Sequence, residues 1–198
     1  DWLETRSDEP ALPVATYVRA YAPAAEDIRA QSIEIAGDHP PAALLGRLRA
    51  PIAAPAAVAA GTVIAGPRGP ITARDFVGTR VLDLVVHCDD FARSLPDRDP
   101  PALVRAPLAA TTRMLAEMLA FAAPGRSVEV RIAPFVAVQA IEGPRHTRGT
   151  PPNVIEMDPV SWLRVATGRE AFAAAAGRGA IRASGARADL TPYLPLLA

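Results

Sequence analysis

Apolar residues in this chain keep one of two periods. Up to Ala123 they recur three and four residues apart, the spacing of a helix face; from Ser127 they alternate, the spacing of a strand. The spacing predicts helix over 15–35, on Tyr17, Tyr21, Ala24, Ile28 and Ile35, with Pro23 near the start of a second segment, where proline is tolerated. Gly37-Asp38-His39-Pro40-Pro41 closes it, and a short helix follows over 42–49. Residues 1–13 are polar and read as a loop or a short helix. Thr62-Val63-Ile64-Ala65 and Ile71-Thr72-Ala73 flank Gly66-Pro67-Arg68-Gly69, a hairpin with a four-residue turn. Helix resumes over 74–95 and again over 107–123, where Leu108, Thr111, Leu115, Met118, Leu119 and Ala122 share a face.

At Pro124-Gly125 the period switches. Val128, Val130 and Ile132 alternate with Glu129 and Arg131, a strand with one apolar face. Further strands are expected over 135–141, 153–157 and 180–183. Asp158 before Pro159 is an N-cap signal for a helix over 160–166. A short helix over 169–176 and an apolar tail or helix over 190–197 complete the pattern. The fold class is therefore α+β. A helical domain over 1–123 is followed by a small α/β domain over 124–198, with the junction at Pro124-Gly125.

Composition changes this picture little. Half of the 198 residues are hydrophobic, but aromatics make up only 5%, so the core is built from small residues. Lys+Arg and Asp+Glu balance at 21 each, and every one of those cations is Arg. A neutral chain lacks the electrostatic footprint of a nucleic-acid or anionic-membrane binder. No secretory signal or membrane span is visible, which fits a cytoplasmic protein with no integral membrane association. The chain begins at Asp1 instead of Met, which reads as a fragment or a processed form. The single cysteine, Cys88, excludes an intramolecular disulfide and a multi-cysteine zinc site, and reads as a small hydrophobe. Met114 and Met118 stand at helical spacing and read as core.

Candidate chemistry concentrates in the helix over 74–95. On a helical wheel Val81, Leu84, Val85, Cys88, Phe91, Ala92 and Leu95 form one apolar arc, and Asp83, His87 and Asp90 fall opposite at i, i+4 and i+7. A carboxylate one turn from an imidazole is half of a metal site. The same arc carries Arg80, Asp89, Arg93 and Ser94, so it equally describes a solvated helix face. Elsewhere, Arg145, His146 and Arg148 share a Gly/Pro-bounded loop. They could grip a carboxylate or phosphate, or pair with the domain's own Glu156 or Asp158. His39 reads as an exposed turn residue.

Asp83-Leu84-Val85-Val86-His87, followed by Asp89-Asp90-Phe91, resembles the E-x-x-x-H-x-x-D-L signature of the mycothiol-dependent maleylpyruvate isomerase family of DinB-like four-helix metalloproteins. The resemblance implies a divalent metal, most often zinc, held by Asp83 and His87 with Asp90 behind them, and a low-molecular-weight thiol cofactor. Asp83 stands where that family has Glu, and the family's early-helix His is absent, so the bundle and the site are expected to be incomplete. It also implies that Asp83 and His87 face the bundle interior. Residues 127–198 are similar to a sterol carrier protein 2-like domain, in the order Asn153-Val154-Ile155-Glu156-Met157-Asp158, Ser161-Trp162-Leu163, Ala166-Thr167-Gly168, Gly179 to Gly185 and Leu190 to Leu194. The two together resemble a bacterial "sterol carrier family protein" branch that joins such a domain to a DinB-like bundle.

These resemblances imply a metal-dependent, mycothiol-type transferase or isomerase of small organic acids or electrophiles. The alternative is a non-catalytic carrier of lipid or another apolar ligand, or a dimerisation scaffold. A small-molecule ligand is the expected partner, no nucleic acid is, and a homodimer is compatible with either reading. No catalytic residue is identifiable. Only Phe135, Trp162, Phe172 and Tyr193 are aromatic after Pro124, so apolar-chain binding by the second domain is expected to be weak or absent.

Overall fold

The structure, a computed structural model, describes residues 3, 5–40, 42–43, 46, 58–95, 97, 99, 102–144 and 153–197. The chain divides into two compact units, Asp1–Phe76 and Val77–Ala198. The helix expected over 42–49 lies largely outside the described residues.

In the first unit the expected long helix is split. α1 spans Val14–Arg19, a 3-10 turn covers Ala22–Ala24, and α2 spans Ala25–Asp38. The break falls at Pro23, whose ring cannot continue the preceding helix. The hairpin forms as β1 (Val63–Gly66) and β2 (Gly69–Thr72), antiparallel, with Gly66 opposite Gly69. Its turn is two residues, Pro67-Arg68, and not the four expected, because both glycines join the ladder. Residues 5–7 are extended and not helical. Arg6 bridges to Ile64, Ser7 N–H donates to Val63 O, and Ala65 N–H donates to Thr5 O, so they cover the free edge of β1. Tyr17, Ile64, Ile71, Ala73 and Phe76 form the buried core of this unit.

α3 (Ala73–Ser94) begins in the first unit and runs on into the second. There, α4 (Arg105–Ala122) precedes a four-stranded sheet of order β4-β3-β5-β6. The strands are β3 (Val128–Ile132), β4 (Val136–Ala140), β5 (Val154–Met157) and β6 (Ile181–Ser184). β3 pairs antiparallel with β4 and parallel with β5, and β5 pairs antiparallel with β6. α5 (Pro159–Ala166) and α6 (Phe172–Gly177) lie between β5 and β6 in sequence, and a 3-10 turn covers Thr191–Tyr193 near the end. The alternation read from Val128 to Ile132 is therefore a real strand, and a sheet follows the switch at Pro124-Gly125.

The sheet is two-faced. Val128, Val130, Ile132, Ile155 and Met157 are buried with Leu115, Met118 and Leu119 of α4 and Trp162, Leu163 and Val165 of α5. Trp162 Nε1 donates to Thr112 O at 3.3 Å, which gives the one polar atom of a fully buried indole its partner. The other face is a charged rung: Arg131 lies opposite Glu156, and Glu156 opposite Arg182. Arg131 donates to Glu129 at 2.6 Å and to Glu156 at 2.9 Å. At the end of the sheet, Asn153 Nδ2 donates to Ser127 O, Arg187 N–H donates to Asn153 Oδ1, and Ser127 Oγ donates to Ile141 O. Gly125 is required beside this junction, because a Cβ there would meet the Ile141 carbonyl at 2.1 Å.

Candidate functional site

α3 turns its candidate residues outward. Its buried side is Thr79, Leu82, Val85, Val86 and Asp89, while Asp83 and His87 are exposed. This corrects the expectation that Asp83 and His87 face an interior. The apolar arc is also largely outside: Leu84 is 67% exposed and Phe91 61%. The helix carries apolar residues on two faces, and a polar residue selects which one packs. Asp89, 3% exposed, accepts a two-pronged bond from Arg164 of α5, with Nη2 at 2.7 Å and Nε at 3.0 Å. Arg93 adds a third contact at 3.1 Å. A buried carboxylate needs such partners, and Arg164 can reach Asp89 only when that face of α3 points inward. Sequence reading grouped Asp89 with the solvated residues; its position on the wheel between Leu82, Val85 and Val86 was the available signal.

Asp83 pairs with Arg80 at 3.1 Å on the surface. Burial of its carboxyl pushes its pKa up, against the opposing pull of Arg80 and then His87. Half of that side chain is in solvent, so the pair with Arg80 contributes little stability. His87 Nδ1 lies 3.7 Å from Asp90 Oδ2, beyond ordinary hydrogen-bond length. Asp90 is committed elsewhere. It accepts from Arg169 at 3.0 Å and from Arg93, and the Arg169 bond holds its carboxyl below the ordinary range. The structure thus brings Asp83, His87 and Asp90 onto one open face, with His87 and Asp90 beside Phe91, Ser94 and Leu95 along a cleft of about 320 Å³. Among the described residues no three His, Cys, Asp or Glu side chains converge to hold a metal ion. The described residues therefore do not fit the three-ligand site of a catalytic zinc. Cys88 is half-buried and free, and Met118 is core, as expected. Arg145, His146 and Arg148 lie outside the described residues.

A second cleft, of about 290 Å³, opens between α5, α6 and the C-terminal segment. Val165, Gly168, Ala171, Phe172, Leu194 and Pro195 wall it, with Glu170 and Thr191 as its polar members. Gly168, in a left-handed conformation (φ 75°), ends α5 and would bring a Cβ to 3.2 Å from Pro195. Leu196 N–H donates to Ala166 O, which holds the terminal segment against α5. Glu170 at the rim is bound by Arg178 through two bonds, at 2.7 and 2.8 Å.

This combination of a one-sided sheet, helices on its apolar face and a terminal segment closing an apolar cleft bears on the second resemblance. Residues 104–196 match the family described as bacterial SCP ortholog. The C-terminal part of the chain is sterol-carrier-like, within a molecule of mixed helix and sheet. The match begins at residue 104, so it takes in α4 together with the sheet, α5, α6 and the terminal segment. No curated protein matches the chain. No helix among the described residues is long and apolar enough to cross a membrane.

Proposed function

We propose that the sterol-carrier-like part binds a small apolar ligand without catalysis, in the cleft between α5, α6 and the terminal segment. The observation that carries this reading is the lining: Val165, Phe172, Leu194 and Pro195 face a space whose polar members are Glu170, already paired with Arg178, and Thr191. Ligand sites are mostly apolar with few polar groups, and commonly about 300–1,000 Å³. At about 290 Å³ this one suits a short acyl chain or a single ring system better than a sterol. Binding is weak on this reading, in keeping with the scarcity of aromatic residues in the domain.

Displacement of a fluorescent medium-chain fatty acid tests it. Saturable binding is expected, weakened about tenfold or more by Leu194→Asp, which sets a charge in the apolar wall. Binding that is absent, or indifferent to Leu194→Asp, removes the carrier reading. The metal-dependent, mycothiol-type transferase or isomerase suggested by the α3 motif, with its DinB-like bundle, needs donors beyond Asp83 and His87. Stoichiometric zinc that survives dialysis and disappears in His87→Ala would favour that reading over the carrier.

A further inference from the structure

The segment that runs from the end of α5 to the start of α6 walls the apolar cleft with Val165, Gly168, Glu170, Ala171 and Phe172. Its backbone closes on itself: the amides of Arg169 and Glu170 both donate to Arg164 O, at 2.8 and 3.2 Å. Those bonds fix the shape of the turn. They do not tie it to the helix beside it, and that task falls to two arginines, one on each side of Val165 and Gly168. Arg164 donates to Asp89 of α3 through Nη2 at 2.7 Å and Nε at 3.0 Å. Arg169 donates to the adjacent Asp90 through Nη2 at 3.0 Å and Nε at 3.2 Å. Arg93 bonds to both carboxylates and joins the two pairs into one network. α3 ends at Ser94 and the residues that match the family begin at 104, so the wall of the cleft is anchored from outside the matched region.

We propose that Asp89 and Asp90 are positioning residues of this cleft: by holding Arg164 and Arg169 they fix the turn between α5 and α6, and so set the length of apolar chain that the cleft accepts. The proposal rests on the carrier reading of the same cleft. A two-pronged guanidinium–carboxylate pair fixes direction as well as distance, and each arginine is held in that way. A wall ordered in advance spares the ligand the cost of ordering it. A wall released from α3 loses that advantage for a short chain, and it can move outward to admit a longer one. The two carboxylates differ in what else they do. Asp89 is buried and also orients α3, so its loss disturbs the packing of the helix. The Asp90–Arg169 pair is partly exposed, with about a third of each side chain in solvent, and can be cut without opening the core.

Asp90→Ala of the whole chain is therefore the test, with octanoate and hexadecanoate each competing against the fluorescent fatty acid. An exposed ion pair is worth at most about a fivefold change in an equilibrium, and the two-bond geometry places this one near that limit. Octanoate binding should weaken about two- to fivefold, and the ratio of octanoate to hexadecanoate affinity should fall; a merely structural loss would weaken both acids alike. Amide hydrogen exchange should quicken across 167–172 and stay unchanged in β3 and β5. Asp90→Arg combined with Arg169→Asp, which remakes the pair with its charges exchanged, should restore both readouts. Arg80→Ala, which removes an ion pair elsewhere on α3, should alter neither. The proposal is overturned if Asp90→Ala leaves exchange across 167–172 as slow as in the native chain, leaves the affinity ratio unchanged, or is matched in its effects by Arg80→Ala. If the native chain binds neither acid, the carrier reading falls, and the exchange measurement alone then decides whether α3 anchors the turn.

Discussion

Asp89 shows how one side chain can orient a helix. Its carboxylate is buried and satisfied by Arg164 and Arg93, and removing the charge would leave Arg164 without its partner in a partly buried position. Breaking a fully buried pair costs about 3–5 kcal/mol. Arg164 keeps some solvent contact, so Asp89→Asn should lower stability by about 2 kcal/mol, read as a shifted urea midpoint at unchanged slope. Asp158 acts locally. Its carboxylate accepts from Val160 N–H, Ser161 N–H and the Ser161 hydroxyl at the start of α5. Burial alone would raise its pKa, but those bonds outweigh burial and hold it low. Asp90 and Glu170 are also held low, chiefly by bonds from Arg169 and Arg178. Carboxylates with depressed folded-state pKa values stabilise the fold above their unfolded values, and that contribution is lost as pH falls through the folded ones. The ordinary values are 4.5 for Glu170 and 3.8 for the two Asp residues. The urea midpoint should therefore be flat near neutrality, begin to fall near the Glu value, and continue falling below the Asp value. Asp158→Ala should cost about 1 kcal/mol at pH 7 as a lost N-cap, and much less in acid.

At the scale of the element, α3 is the informative case. Its apolar positions occupy both faces, so periodicity establishes a helix without saying which face packs. The structure buries Leu82, Val85 and Val86 and leaves Leu84, Phe91 and Leu95 outside. Leu82→Ala should therefore cost about 2–5 kcal/mol, and Leu84→Ala no more than about 0.5 kcal/mol. The reverse ranking in urea unfolding would overturn this orientation. α5 behaves differently. Asp158, Pro159 and the apolar run Trp162-Leu163-Val165-Ala166 define its start and buried face within one short segment, and the structure agrees with both. The hairpin lies between these cases: its strands were legible from Ile64 and Ile71, while the turn length depended on both glycines joining the ladder.

For the whole molecule, the second unit contains a complete core of sheet, α4 and α5, so Val77–Ala198 expressed alone should unfold in one cooperative transition with native far-ultraviolet dichroism. A broad, non-cooperative transition would mean that this core depends on residues before Val77. The alternation of Val128, Val130 and Ile132, the cap at Asp158 and the breaks at Pro23 and Gly168 are local signals, and from them the sequence by itself determined the α+β class, the order of elements and the sterol-carrier-like end. The i, i+4 relation of Asp83 and His87 was equally local, which is why their shared face was legible. The direction of that face was not. It depends on Asp89 meeting Arg164, 75 residues away, and the second cleft depends on Leu194 and Pro195 folding back on α5. Such pairings join segments whose sequences carry no mark of each other. Only the tertiary structure decided them, because the cost of burying a carboxylate and the gain from covering an apolar wall arise only when distant parts of the chain are brought together.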